Sequence, residues 1–136
     1  MTDEVVVDAS ALIAWLLNDD PDTALRFETV LRRSALIAPA LLRAEVANAL
    51  TTALRRERLT AARARQAARL ADTLAIDYES PTESIDALFA DACTHALTAY
   101  DAQYLRIAMR RGAQLLTADR ALQAAARAAG VALVTG

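Results

Sequence analysis

Four acidic side chains lie where elements of a predicted α/β fold begin or end. Asp8 follows an apolar run, Glu45 lies near the start of a long predicted helix, Asp101 lies in the first turn of another, and Asp119 follows a short predicted strand. In open parallel sheets, ligand sites form outside the carboxyl ends of the strands. Carboxylates gathered there repel one another, and a divalent cation such as Mg²⁺ or Mn²⁺ offsets that repulsion. The pattern predicts a metal site that activates water for phosphodiester cleavage.

Each acid also has an ordinary structural interpretation. An aspartate after a strand, such as Asp119, is usually a helix cap, and Asp101 suits the first turn of a helix as a favourable charge. Glu45 could be solvated. Asp8 is the hardest to explain in this way, because a carboxylate that ends a buried strand is costly unless it is satisfied. The joint placement of the four supports a site more strongly than any one of them.

The hydrophobic pattern predicts strands that alternate with helices. We expect strands over 4–8, 35–38, 76–78, 113–117 and 131–134, and helices over 10–17, 22–33, 40–56, 61–74, 84–96, 98–111 and 119–129. Alternation of this kind implies a three-layer α/β/α domain with a mostly parallel central sheet of four to five short strands flanked by helices. In the helix over 84–96, the apolar stripe is formed by Ile85, Leu88, Phe89 and Ala92. Cys93 is expected to be a small core residue.

Length and composition indicate the class of protein. The 136 residues suit one domain, 1–136, and the single cysteine cannot form a disulfide within the chain. The N-terminus is acidic, unlike a signal peptide, and no apolar run approaches the length that spans a bilayer. We therefore expect a cytoplasmic protein with no membrane partner.

All 15 basic residues are arginine, and this composition excludes several mechanisms. Without lysine there is no P-loop, no Schiff base and no receiver-type signalling site. A haloacid-dehalogenase-like phosphatase needs a second acid where Ser10 stands. Six arginines lie between residues 55 and 69, and Arg55, Arg58, Arg65 and Arg69 could contact RNA. A solvated charged face is the more common explanation, and an acidic partner protein is another.

Four short segments, in order along the chain, resemble the motifs of a known family. They are Val-Val-Asp-Ala-Ser-Ala (6–11), Ala-Glu-Val-Ala-Asn-Ala-Leu (44–50), Tyr-Asp-Ala-Gln-Tyr-Leu (100–105) and Leu-Leu-Thr-Ala-Asp-Arg-Ala-Leu (115–122). They are similar to the motifs of PIN-domain proteins, in particular the VapC-type toxins of bacterial toxin–antitoxin pairs. The resemblance covers essentially the whole chain.

This resemblance implies a PIN-like fold and a metal-dependent endoribonuclease, the toxin component of a type II toxin–antitoxin pair. Its acidic quartet of catalytic residues and metal ligands maps onto Asp8, Glu45, Asp101 and Asp119, with one or two Mg²⁺ or Mn²⁺ ions as cofactor. Ser10 and Thr117 match hydroxyl positions that orient ligands or water, and Asn48 lies one helical turn after Glu45. The implied partners are an RNA substrate, a cognate antitoxin and a second copy of the chain in a homodimer.

Some alternatives remain open on the sequence alone. One is a PIN-type nuclease for RNA processing or quality control outside a toxin–antitoxin system. Another is a non-catalytic binding module, against which the retention of all four acids argues. No acid follows Asp119, where Arg120 stands, which leaves a second metal site open. Tyr104, three residues after Asp101, could pack near the site, although a core role is the default.

Overall fold

The computed structural model describes residues 3–135 and has one four-stranded sheet at its centre. The strands are β1 (Asp3–Val7), β2 (Ser34–Pro39), β3 (Ile76–Glu79) and β4 (Gln114–Leu116). They are all parallel, in the order β3-β2-β1-β4, so β3 and β4 lie at the two edges. The predicted parallel α/β architecture is confirmed.

Seven helices in the described part of the chain form the outer layers of the α/β/α arrangement. They are α1 (Ala9–Leu17), α2 (Pro21–Arg33), α3 (Leu42–Arg55), α4 (Ala61–Asp72), α5 (Ile85–His95), α6 (Ala99–Arg111) and α7 (Arg120–Ala128). Within residues 3–135, none of these helices combines the length and the apolar character needed to cross a membrane.

The core lies around the two central strands. Val5, Val6 and Val7 of β1 are almost completely buried, which explains why this strand is a continuous apolar run. Each buried side chain of this size contributes about 1.5–3 kcal/mol through the hydrophobic effect. The consequence for the site is that Asp8 directly follows a buried central strand.

The predicted fifth strand, 131–134, is reduced to one bridge between Leu133 and Leu115. The amide of Leu115 donates to the carbonyl of Ala132 at 2.9 Å, and Val134 donates back to Leu115 at 3.0 Å. A partner strand of only three residues, β4, offers too short an edge for a longer ladder.

Helix α5 differs most from its prediction. Ile85 and Phe89, expected in its buried stripe, are 87% and 66% exposed, and Cys93, expected in the core, is also exposed. The physical reason is that α5 packs on α6 at the outside of the molecule, so only the side of α5 that carries Leu88 and Ala92 is partly covered. Helical periodicity identified an apolar stripe but not which part of it is buried.

Candidate active site

Asp8 lies directly after β1 and is 4% exposed, with extended backbone. Its carboxylate caps α1 by accepting from the amide of Ala11 at 3.0 Å. The hydroxyl of Ser10 donates to Oδ1 at 2.7 Å, and that of Thr117 donates to Oδ2 at 2.5 Å. Burial raises the pKa of Asp8 to about 6 in spite of these three hydrogen bonds, and the carboxylate of Asp101 contributes a smaller increase.

Ser10 and Thr117 connect the turn after β1 to the turn after β4. The Ser10 hydroxyl accepts from the amide of Ala118, the Thr117 hydroxyl accepts from the amide of Asp119, both at 2.9 Å, and the two hydroxyl oxygens are 3.2 Å apart. This network holds Asp8 and the backbone of Asp119 in one arrangement. The geometry agrees with an orienting role for both hydroxyls, and that role stays a prediction.

Glu45 lies in the first turn of α3 and is half-buried. Its Oε1 accepts a hydrogen bond of 2.6 Å from the hydroxyl of Tyr104, a residue of α6. The pKa of Glu45 is raised by burial and by the nearby Asp101 carboxylate, and the bond from Tyr104 acts in the opposite direction. The start of α3 is thereby joined to the start of α6.

Asp101 lies in the first turn of α6, whose amide end is capped by Thr98 through a bond of 3.0 Å to the Asp101 amide. Its pKa is raised by burial and then by Asp119, while Thr98 lowers it. Asp119 caps α7, as predicted for an isolated aspartate after a strand, by accepting from the amide of Leu122 at 2.9 Å.

Asp101 is the electrostatic centre of the four predicted acids. Its carboxylate raises the pKa values of Asp8 and Glu45, and Asp119 in turn raises the pKa of Asp101. Such effects weaken with distance, so they support the prediction that the four acids, which come from four different elements, contribute to one site.

The donor set suits a hard divalent cation, since every candidate ligand is a carboxylate oxygen and the charges destabilise one another. Within residues 3–135, however, no three acidic, histidine or cysteine side chains form a ready-made metal cage. Asp8, Glu45 and Asp119 are instead engaged in hydrogen bonds within the protein. An ionised carboxylate has about four acceptor lone pairs, so these bonds leave acceptor sites on each of the three side chains for a cation.

The remaining predicted residues lie on the surface formed by α3 and α4. Asn48 is exposed on α3, one turn beyond Glu45. The predicted break between the helices is confirmed, and Glu57 there has a φ of 58°. The four candidate arginines are exposed and, in the part of the chain that the structure describes, form no ion pair: Arg55, Arg58, Arg65 and Arg69. Their contact with RNA, and the role of Asn48, stay predictions.

The contact of Tyr104 with Glu45 is the feature that sequence analysis does not reveal, since a core role is the default for this tyrosine. The side chain is fully buried, and burial together with Glu45 raises its pKa, so the phenol keeps its proton. The spacing from Asp101 to Tyr104, three residues on a helix, is the available signal because it puts both on one face.

The chain is similar to known proteins in sequence and in structure. The family model described as the PIN domain matches residues 5–128. VapC ribonuclease Mb0985 of Mycobacterium bovis and ribonuclease VapC9 of Mycobacterium tuberculosis are each 33% identical to this chain over 115 residues, 85% of either chain.

Among solved structures, PAE2754 from Pyrobaculum aerophilum is 28% identical with a TM-score of 0.71, over 97% of this chain and 84% of that one. Mycobacterium tuberculosis VapC20, described as a Sarcin-Ricin loop cleaving toxin, is 16% identical with a TM-score of 0.62, over 89% of this chain and 94% of that one. VapBC2 from Rickettsia felis, solved with a DNA fragment from their promoter, is 9% identical with a TM-score of 0.64, over 96% of each chain. The last two likenesses concern the fold alone.

Proposed function

The chain belongs to the PIN domain family, and from this premise we propose that it is a metal-dependent endoribonuclease, the toxin of a type II toxin–antitoxin pair. The nuclease domain spans residues 1–136. Two relatives that are 33% identical over 85% of the chain carry the name of VapC ribonucleases, which supports both the activity and the toxin assignment.

The observation that carries the proposal is the electrostatic coupling of four carboxylates from four elements. Burial and mutual repulsion raise the pKa values of Asp8, Glu45 and Asp101, which is unfavourable for a purely structural arrangement of acids. A site that binds a cation explains why the chain keeps these charges together.

Asp8, Glu45, Asp101 and Asp119 would hold one or two Mg²⁺ or Mn²⁺ ions. When bound, such an ion supplies activated water and stabilises charge on the phosphate. The chain itself provides orientation: Ser10 and Thr117 hold the carboxylate of Asp8, and Thr98 holds the start of α6 that carries Asp101. Their fixed hydrogen bonds reduce the reorganisation needed when substrate binds.

Binding of RNA is assigned to the exposed arginines of α3, α4 and the turn between them. A guanidinium pairs with phosphate through two parallel hydrogen bonds, and these arginines have no carboxylate partner within residues 3–135. They supply positive charge to a chain whose net charge is −2.

The proposed setting is the bacterial cytoplasm, with a cognate antitoxin that holds the enzyme inactive and a second copy of the chain in a homodimer. Exposed Ile85 and Phe89 on α5 leave apolar surface for a partner. Sedimentation of the purified protein, alone and with the product of the adjacent gene, tests both partners.

Incubation of the purified protein with total cellular RNA tests the activity. We expect discrete cleavage products in Mg²⁺ or Mn²⁺ and none when EDTA is present. Expression in cells should arrest growth, and coexpression of the adjacent gene should relieve the arrest. Absence of cleavage with either ion would contradict the nuclease proposal. Cleavage without growth arrest would instead favour an RNA-processing nuclease.

A further inference from the structure

The hydroxyl of Tyr104 is placed unusually for a residue of the core. The ring is fully buried, yet its oxygen reaches the half-buried Glu45, which lies 59 residues earlier in the chain, at 2.6 Å. The bond joins a core residue of α6 to a candidate ligand on α3.

This bond constrains a side chain that is otherwise flexible. A glutamate has three rotatable bonds, and each must be ordered when its carboxylate binds a cation. Tyr104 is held by packing on every side, so its hydroxyl is a fixed donor that restricts Oε1 of Glu45. The other carboxylate oxygen, Oε2, remains available to a ligand.

We propose that Tyr104 is a positioning residue that orders Glu45 for divalent-cation binding, an inference that rests on the proposed function. Hydrogen bonds from neighbouring groups to metal ligands commonly tune affinity by roughly 10- to 100-fold. A tyrosine is suited to this role because its rigid ring holds the donor in place, whereas a serine or threonine on α6 would not reach α3.

The variant Tyr104→Phe removes the hydroxyl and keeps the buried ring. We expect it to bind Mn²⁺ roughly 10- to 100-fold more weakly by calorimetry. Its cleavage rate should be reduced at low Mn²⁺ concentration and should partly recover at high Mn²⁺ concentration. The matched control is Tyr100→Phe, because Tyr100 precedes Asp101 but is 63% exposed; its Mn²⁺ affinity should equal that of the wild type.

A double-mutant cycle separates positioning from general packing. In a Glu45→Ala background, Tyr104→Phe should have no further effect on Mn²⁺ affinity, because the group through which it acts is gone. An equal effect in both backgrounds, or unchanged affinity in Tyr104→Phe alone, would overturn the inference while leaving the nuclease proposal intact. A wild-type protein that neither binds Mn²⁺ nor cleaves RNA would overturn both.

If Tyr104→Phe does not fold, the role of Tyr104 can be tested by tyrosine absorption in a variant that keeps this residue. Mn²⁺ added to the Tyr100→Phe variant should shift the near-ultraviolet tyrosine spectrum, because the cation draws charge from the acceptor of Tyr104. The shift should vanish when Glu45→Ala is added. No shift, or one that persists without Glu45, would contradict the role of Tyr104.

Discussion

At the level of single residues, Asp8 and Asp101 differ in their burial and in their interactions with other charges. Asp8 is buried and bound on both oxygens by hydroxyl groups, so its cost to the fold comes mainly from desolvation. Asp101 is less buried and interacts with the other three acids. Replacement of Asp8 should therefore change mainly the stability of the fold. Replacement of Asp101 should change mainly the interactions among the four acids.

Replacement of Asp101 by asparagine should reduce Mg²⁺-dependent cleavage by at least about 100-fold, since it removes a charge worth several kcal/mol to a bound cation. Folding should be unaffected. Cleavage rates and circular dichroism spectra of the purified variant provide the test. Asp86→Asn is the matched control, because Asp86 lies in the first turn of α5 and is exposed. Undiminished cleavage by the Asp101 variant would contradict the proposed site.

The raised pKa of Asp8 predicts how stability depends on pH. The pKa rises from 3.8 to about 6 on folding, so the folded protein holds this proton more tightly than the unfolded chain does. The destabilisation is absent below about pH 4, grows as the pH rises through about 6, and then remains constant at about 3 kcal/mol.

Asp8→Asn should therefore stabilise the metal-free protein by about 2–3 kcal/mol near pH 7 and by little near pH 4. The asparagine amide can donate to Thr117, whose hydroxyl then donates to Ser10, so both hydroxyl groups keep their hydrogen bonds. Urea unfolding with EDTA at the two pH values measures the difference. A variant less stable than the wild type at pH 7 would show that Asp8 is not destabilising.

At the scale of the elements, α6 carries two residues of the proposed site and is held at both ends. Its first turn carries Asp101, its second carries Tyr104, and its last residue, Arg111, contacts Glu4 of β1 at 2.8 Å and Asp77 of β3 at 3.3 Å. The helix is thus anchored to the sheet at its far end and capped by Thr98 at the end nearest the acids. Its position determines how close Asp101 and Tyr104 lie to Glu45.

Two threonine caps distinguish the effect of α6 on activity from the general effect of a lost helix cap on stability. Thr98→Ala and Thr60→Ala each remove one cap bond, to the amides of Asp101 and Arg63 respectively, and should each cost about 1 kcal/mol in urea unfolding. Only Thr98→Ala should also reduce kcat, because only that cap holds a helix end that carries a proposed catalytic acid. Thr60 caps the helix with the proposed RNA-binding arginines, so its loss would act on KM. Equal kcat values of the two variants would contradict the positioning role of the cap.

At the scale of the whole molecule, charge is distributed unevenly. The four acids lie after β1 and β4 and in the first turns of α3 and α6, whereas exposed arginines occur farther along α3, on α4 and in their connecting turn. A substrate with a phosphate backbone would be attracted by the second surface and cleaved at the first.

The double variant Arg65→Ala/Arg69→Ala should raise KM for RNA about 10-fold and leave kcat unchanged. Its log KM should also depend less steeply on log salt, by about one unit of slope for each phosphate that these two arginines neutralise. Steady-state cleavage at several salt concentrations measures both effects. Arg33→Ala/Arg127→Ala is the control, since both residues are exposed in last turns of other helices. An equal change in the control would mean that general charge, not this surface, binds RNA.

The order of strands and helices, the cap at Asp119 and the positions of the four acids at element ends were all readable from the sequence. These features depend on side chains within about four residues of one another, where periodicity and capping chemistry act. The break between α3 and α4 was readable for the same reason.

Packing alone decided the rest. The hydroxyl of Thr117 meets Asp8 across 109 residues, and the phenol of Tyr104 meets Glu45 across 59. The exposed side of α5 was likewise not predictable, because an apolar stripe on a helix does not indicate whether one neighbour or several will cover it. Such contacts depend on how whole elements pack, so the types of ligand follow from the sequence and their mutual orientation only from the tertiary structure.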